Sequence, residues 1–138
     1  MLKNVICNLN ILFKYNFNIN SIKYTINNYN GNDWIKYISN TNSYSKSMIY
    51  KNDKYELLLI SWKKDTETNY HNHPKNGCYL KVTEGKLLEI NKIKNEISYN
   101  LLTPNNYGFK KHNEYHKIIA LEDSYSLHLY SPPNFYKN

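Results

Sequence analysis

Short apolar runs separated by polar turns dominate the chain from about residue 43 onwards. After residues 47–50 and a polar turn at 51–54, the apolar run 55–62 has the length of a buried strand. The same pattern predicts further strands at 78–83, 86–90, 96–102, 116–121 and 125–130. Many short strands with regularly spaced turn signals are typical of an all-β sandwich or barrel.

The first 42 residues are rich in Asn and Ile and have a weaker pattern. In segment 32–38, Trp34, Ile35 and Ile38 recur at helical spacing, and Asn32 or Asp33 can serve as the N-cap, so we expect a short helix there. The length of 138 residues predicts a single domain. We expect residues 1–42 to form its helical or irregular N-terminal segment and residues 43–133 to form its barrel.

The charge of the chain changes this picture little. The formal net charge is +7, and all 18 basic residues are lysines, scattered singly or in pairs. Arginine is the side chain best suited to bidentate contacts with phosphate and guanine. We therefore expect the lysines to form a solvated surface, and we expect no nucleic-acid partner.

Targeting signals are also missing from the pattern. No run of about 18 apolar residues is present, so we expect no membrane-spanning helix. The N-terminal stretch is interrupted by Asn and Lys and lacks a small-residue cleavage site, so no secretory signal is expected. We expect a cytoplasmic protein whose two cysteines, Cys7 and Cys78, are reduced thiols.

Candidate chemistry lies with the five histidines. His71 and His73 are two residues apart, so on a strand they point to the same face and can share one metal ion. His116 opens an apolar run on a distant predicted strand, whereas His112 lies in a polar loop. We therefore predict His116 as the third ligand and a solvated position for His112.

Three further polar residues, Ser126, His128 and Tyr130, alternate with Leu127 and Leu129. On a strand this places the hydroxyl, the imidazole and the phenol on one face. If that face is turned inward, the three can form a hydrogen-bonded relay. If it is turned outward, the segment is a half-exposed strand with polar residues in water, and the pattern leaves both interpretations open.

These motifs resemble the cysteine dioxygenase family, whose members are cupins with a three-histidine iron site. The resemblance covers roughly residues 44–133. It is carried by Trp62, by the sequence His-Asn-His-Pro-Lys-Asn-Gly-Cys at 71–78, by Gly85, and by Ser-Leu-His-Leu-Tyr-Ser-Pro-Pro at 126–133. It implies a mainly β fold, a small cupin-type jelly-roll barrel preceded by short N-terminal helices.

The resemblance also implies roles for individual residues. The ligands of one Fe(II) ion per chain would be His71, His73 and His116. The other implied site residues are Ser126 and His128 as a relay to Tyr130, Cys78 as the partner of Tyr130 in a thioether bond, and Tyr44 and Lys46 as substrate-binding groups. The implied reaction is the oxidation of L-cysteine by O2 to cysteine sulfinic acid, and we expect a monomer.

Several departures from the family leave alternatives open. Lys46 stands where the family has an arginine that holds the substrate carboxylate, and an ammonium lacks the planar fork of a guanidinium. Ala120 stands four residues after the third histidine, where cupins often carry Asn. The sequence also ends soon after Pro133, so a segment covering the site is expected to be absent or supplied differently. A dioxygenase for 3-mercaptopropionate, cysteamine or an N-terminal cysteine, and a metal-binding cupin without turnover, remain as alternatives.

Overall fold

The computed structural model describes residues 1–15, 17–39 and 43–136. Within them, the helices are α1 (Leu2–Tyr15), α2 (Ile19–Asn27) and a short 3-10 helix (Asp33–Tyr37). The strands are β1 (Ser45–Lys51), β2 (Glu56–Trp62), β3 (Cys78–Glu84), β4 (Leu87–Ile93), β5 (Glu96–Leu102), β6 (Tyr107–Lys110), β7 (Tyr115–Ala120) and β8 (Ser124–Tyr130). None of the helices in these ranges has the length and apolar character needed to cross a bilayer.

The strands form two antiparallel sheets. The larger sheet has the order β1-β2-β8-β3-β6, and the smaller has the order β5-β4-β7. In the larger sheet, the central strand β8 is paired with β2 on one side and β3 on the other. A bulge between Met48 and Tyr50 interrupts the pairing of edge strand β1 with β2.

Successive side chains of β2 and β8 point to opposite faces of the larger sheet, and each face contributes to a different hydrophobic core. Leu57, Leu59, Leu127 and Leu129 face outward against the two helices, which supply residues such as Leu9. The helical period explains this contact, because Leu2, Val5 and Leu9 of α1 and Ile22 and Ile26 of α2 are the buried positions of their helices. The outer face of the larger sheet is therefore covered by helix.

The second core lies between the two sheets. It contains Ile60 and Trp62 of β2 together with Leu80, Leu87 and Ile118. Strand β2 is buried along its whole length, since helices cover one of its faces and the second sheet covers the other. The inward face of β8 carries Ser126, His128 and Tyr130, so polar groups enter this core.

The expectation of a mainly β fold preceded by short helices is confirmed. The helix expected at 32–38 is a 3-10 helix at Asp33–Tyr37, and the Asn32 side chain makes no capping hydrogen bond. Helices α1 and α2 and the four-residue strand β6 were not individually predicted. The expected boundary between residues 42 and 43 adjoins residues 40–42, which lie outside the described part of the chain.

Candidate metal centre

The His71–His73 pair lies in an extended segment between β2 and β3, beside β7. The backbones of His71 and His116 exchange two hydrogen bonds, with N···O distances of 3.0 and 3.2 Å. The His73 amide donates to the carbonyl oxygen of His112 at 3.2 Å. The segment returns into β3 through Gly77, whose φ of +99° and crowding against Phe109 exclude a side chain.

Three imidazoles converge between the sheets. The Nε2 atom of His116 lies 3.0 Å from that of His73 and 3.1 Å from that of His71. Across the described residues, His71, His73 and His116 form a group whose ligand atoms all lie within 4.8 Å of one another. His73 and His116 are buried, and His71 is partly exposed.

The hydrogen-bond partner of Nδ1 in each ring indicates which of the two ring nitrogens carries the proton. His71 Nδ1 lies 2.9 Å from the Asn69 carbonyl oxygen, and His73 Nδ1 lies 2.8 Å from that of Glu114. His116 Nδ1 lies 2.8 Å from Oε2 of Glu89. Because oxygens accept at all three positions, we assign the protons to Nδ1, which leaves the Nε2 lone pairs free.

This arrangement fits a metal ion. Three lone pairs point at one another with no proton between them, which is unfavourable unless a cation lies among them. Two imidazole nitrogens bound about 2.1 Å from one ion at a right angle would be about 3.0 Å apart, close to the observed spacing. Burial and the neighbouring imidazole lower the pKa of His71 to about 4 and of His73 to about 3, so both rings are neutral at physiological pH and could offer a lone pair to a metal ion.

Glu89 of β4 is a site residue that the sequence analysis missed. Its carboxylate is buried and accepts hydrogen bonds from His116 at 2.8 Å, Asn100 at 3.1 Å and Asn91 at 3.3 Å, with Lys110 Nζ at 3.5 Å. Burial by itself raises its pKa, but the hydrogen bonds and the charge of Lys110 outweigh this effect and lower the pKa to about 2. Glu89 is thus an anion that orients His116.

A second hydrogen-bonded chain runs along the inner face of β8. The Trp62 indole donates to the Ser126 hydroxyl at 2.8 Å, Ser126 Oγ lies 2.7 Å from His128 Nε2, and His128 Nδ1 lies 3.2 Å from the Tyr130 hydroxyl. Burial, followed by the charge of Lys46, lowers the pKa of His128 well below its usual value, so the ring is neutral. Because the Ser126 oxygen accepts a hydrogen bond from the Trp62 indole, we infer that the Ser126 hydroxyl donates its own hydrogen to His128 Nε2.

The consequence of this assignment concerns Tyr130. His128 then carries its proton on Nδ1 and donates it to the Tyr130 oxygen. The phenolic O–H of Tyr130 is left to donate elsewhere, and Tyr130 lines the cavity between the sheets. Burial raises the pKa of Tyr130, which keeps the phenol protonated.

Cys78 lies beside Tyr130. The register of β3 with β8 places Cys78 directly opposite Tyr130, and the register with β6 places Lys110 on its other side. Cys78 and Tyr130 are both buried and belong to one apolar cluster with Leu58. Burial strongly raises the pKa of the Cys78 thiol, which remains a free cysteine.

Tyr44, just before β1, and Lys46, on β1, both line the cavity. The Tyr44 ring packs edge-on against Trp62 at 5.0 Å between centroids, and burial raises its pKa to about 12. Lys46 is exposed on edge strand β1, and its ammonium lies 5.9 Å from the centre of the Tyr130 ring. Although the residue as a whole is exposed, partial burial of its ammonium beside the cavity lowers the pKa of Lys46, and the opposing effect of Glu56 and Cys78 is smaller.

These side chains enclose a cavity of about 180 Å³. Seven of the nine site residues expected from sequence line it, namely Tyr44, Lys46, His71, Cys78, His116, His128 and Tyr130. His73 and Ser126 do not line the cavity but are joined to lining residues by the contacts described above. His112 is exposed and contacts the His73 carbonyl oxygen through Nδ1, away from the three converging nitrogens.

Solved structures identify the fold class. An RmlC-like cupin from Desulfovibrio desulfuricans superposes with a TM-score of 0.62 at 13% identity, over 75% of this chain and 97% of that one. An RmlC-like cupin from Shewanella frigidimarina gives a TM-score of 0.59 at 16% identity, over 70% of this chain and 83% of that one. The chain therefore has the cupin fold, and its three converging histidines form a candidate metal site.

The family follows from sequence comparison. A model of the family described as cysteine dioxygenase type I matches residues 2–137, and the chain belongs to this family. Cysteine dioxygenase type 1 of Homo sapiens is 28% identical over 103 residues, covering 65% of this chain and 52% of that protein. The Danio rerio protein of the same name is 23% identical over 133 residues, covering 84% and 66%. The chain spans about half to two thirds of the length of these relatives.

Proposed function

We propose that the chain is an iron(II)-dependent thiol dioxygenase that holds one metal ion through His71, His73 and His116. The observation that carries the proposal is the convergence of the three Nε2 atoms, with His116 3.0 Å from His73 and 3.1 Å from His71. Membership of the cysteine dioxygenase type I family supports the reaction class. A bound iron(II) ion would supply the redox chemistry that joins dioxygen to a thiolate sulfur.

The ligand set favours a thiol substrate. Three neutral imidazoles leave the charge of a divalent ion uncompensated and leave coordination positions open. An anionic, soft ligand gains most from such a site, and a thiolate has both properties. Part of the cavity wall around it is apolar and is formed by Ile60, Leu80 and Ile118.

The chain's own residues position the reactants. Ser126 holds His128 in one tautomer, and His128 donates to Tyr130, so the Tyr130 O–H is directed toward the cavity. This phenol can donate a hydrogen bond to a substrate carboxylate or to dioxygen. Cys78 lies next to the phenol and is the partner for a thioether bond to Tyr130, formed with loss of one hydrogen from each residue to an oxidant such as dioxygen.

We expect the substrate to be selected by the part of the cavity wall that Tyr44 and Lys46 form. We propose that Lys46 holds the carboxylate of L-cysteine, with the Tyr44 ring forming the adjacent wall, and that the product is cysteine sulfinic acid. Lys46 is exposed and provides a point charge, so it orients a carboxylate more loosely than a guanidinium does. The absence of arginine from the sequence favours a second candidate, a dioxygenase for another small thiol such as 3-mercaptopropionate or cysteamine.

Metal analysis tests the ligand set. Protein produced with excess iron should carry about one iron per chain, and His71→Ala, His73→Ala and His116→Ala should each lose it. His112→Ala is the matched control, because this imidazole is exposed and outside the cluster. Full iron retention by His116→Ala would contradict the proposed site.

Oxygen uptake tests the reaction. The iron-loaded protein should consume oxygen with L-cysteine and form a sulfinic acid. A panel with 3-mercaptopropionate, cysteamine and a peptide bearing an N-terminal cysteine ranks the substrates. If none of these thiols supports uptake, the chain is a metal-binding cupin without this turnover.

We further propose that the protein acts as a cytoplasmic monomer, with a small thiol and O2 as its partners. Both cysteines of the described chain are free thiols, as a reducing compartment requires. Sedimentation of the iron-loaded protein should give the mass of one 16.5 kDa chain. A concentration-independent dimer would contradict this part of the proposal.

A further inference from the structure

The turn that follows β8 brings Tyr136 to the metal centre. Its ring packs edge-on against Tyr130 at 4.9 Å and against His71 at 5.8 Å between centroids. The Lys46 ammonium lies 5.2 Å from the centre of the same ring. Tyr136 therefore contacts the candidate metal ligand His71, the phenol of Tyr130 and the ammonium of Lys46.

Hydrogen bonds fix this ring in place. The Tyr136 hydroxyl donates to the carbonyl oxygen of Asn72 at 2.6 Å, and Asn72 stands between His71 and His73. At the base of the turn, the Ser131 hydroxyl donates to the Lys54 carbonyl oxygen at 2.8 Å, and the Asn76 amide donates to the Ser131 carbonyl oxygen at 2.8 Å. The turn is thus held at Ser131 by the β1–β2 turn and by the loop before β3, and at Tyr136 by the segment that carries His71 and His73.

The position of Tyr136 accounts for the burial of the groups beneath it. Cys78 is 4% exposed and Tyr130 is 6% exposed, and Tyr136 is the partly buried residue packed on their cluster. Tyr136 also lines the cavity itself. Replacing the ring by a methyl group would open this wall between Tyr130 and His71.

We propose that Tyr136 is a specificity-determining residue, a wall that limits the size of the thiol able to reach the converging histidines. The proposal deepens the proposed function and rests on it for the nature of the substrate. The size limit itself is a property of the cavity and can be measured without turnover. The buried Cys78 serves as the reporter, and the exposed Cys7 serves as an internal reference.

The first experiment uses metal-free protein, in which no oxidative cross-link forms. Labelling rates of Cys78 and Cys7 are measured by peptide mass spectrometry with a small reagent, iodoacetamide, and a bulky one, N-phenylmaleimide. The raised pKa of Cys78 slows both reagents, so the comparison between reagents isolates size. Tyr136→Ala should raise the Cys78/Cys7 rate ratio for N-phenylmaleimide about tenfold, equivalent to about 1.4 kcal/mol, and should raise the ratio for iodoacetamide less.

Two variants serve as controls for this result. Tyr136→Phe keeps the ring, so its labelling should stay closer to the parent protein than to Tyr136→Ala. Tyr99→Ala removes an exposed tyrosine ring on edge strand β5 and should leave both ratios unchanged. An unchanged ratio in Tyr136→Ala, or labelling of Tyr136→Phe as fast as of Tyr136→Ala, would overturn the proposal.

The second experiment uses the iron-loaded enzyme. Tyr136→Ala should shift the ratio of kcat/KM values about tenfold from L-cysteine toward a cysteinyl dipeptide. A parent protein that oxidises no thiol would overturn the proposed function, while the labelling ratios would still decide the size limit. If Tyr136→Ala raises the labelling ratio for N-phenylmaleimide but leaves the ratio of kcat/KM values of an active enzyme unchanged, Tyr136 does not set specificity and the proposal is wrong.

Discussion

Replacing Glu89 by Gln is the sharpest perturbation of the candidate metal centre that leaves all three histidines in place. Glutamine has the shape of glutamate but only one acceptor oxygen. In the native site, Oε2 accepts from His116 and lies 3.5 Å from Lys110, while Oε1 accepts from Asn91 and Asn100. Whichever way the new amide turns, its NH2 group faces other donors.

The magnitude follows from these contacts. Removing one partner of a buried ion pair costs about 3–5 kcal/mol when the other charge stays buried, and the Lys110 side chain is 13% exposed. We expect the lower end, about 3 kcal/mol of unfolding free energy, because partial exposure of Lys110 admits water. Loss of the partner that orients a ligand imidazole should weaken metal binding by about 10–100-fold.

Two measurements on the same variant separate stability from ligand orientation. Urea unfolding of the metal-free protein gives the loss of unfolding free energy. Chelator competition with Co(II) gives the metal affinity. Glu67→Gln is the matched control, because its 54%-exposed carboxylate pairs with Lys117 at the surface and contributes about 0–1 kcal/mol. If Glu89→Gln loses stability but binds Co(II) as tightly as the parent, Glu89 does not orient His116 for metal binding.

Three further outcomes are expected. Lys46→Ala should raise KM for L-cysteine and change KM for cysteamine less, since cysteamine has no carboxylate; equal losses in saturation curves would remove Lys46 from the site. A fraction of the iron-loaded, aerobically treated protein should lose two hydrogens in intact mass through a thioether between Cys78 and Tyr130, and Cys78 that always alkylates fully would contradict the bond. The metal-free protein should lose stability as the pH falls from about 6.5 to about 4, because unfolding lets His71 and His73 bind protons that the folded state excludes, with a slope of up to about 1.4 kcal/mol per pH unit for each ring. Urea midpoints across this range, with His112→Ala as control, measure it.

The strands could be read from sequence because their pattern is strong. The run at 55–62 and the alternation at 125–130 match β2 and β8 within one residue at each end. The pattern could not decide which face of β8 is inward. The answer depends on α1 and α2, which cover Leu127 and Leu129 and leave His128 for the interior.

The helices and Glu89 were harder to predict for separate reasons. Asn and Ile have modest helix propensity, so the buried positions of α1 and α2 stand out only weakly in this composition. Glu89 and Asn91 alternate with exposed or partly exposed neighbours on β4, which is a signal for one shared face. From sequence alone, a carboxylate at such a position predicts a solvated face. In the fold, Lys110 and His116 come from distant strands and make burial of Glu89 possible.

The proposed dioxygenase activity requires the three-histidine site to transfer both atoms of dioxygen to a thiolate sulfur. Its most direct test is the reaction of L-cysteine with the iron-loaded protein under ¹⁸O₂, with the sulfinic acid analysed by mass spectrometry. Both oxygen atoms of the sulfinate should be ¹⁸O, and His73→Ala should form no such product. Sulfinate carrying oxygen from water, or undiminished product from His73→Ala, would contradict the proposed activity.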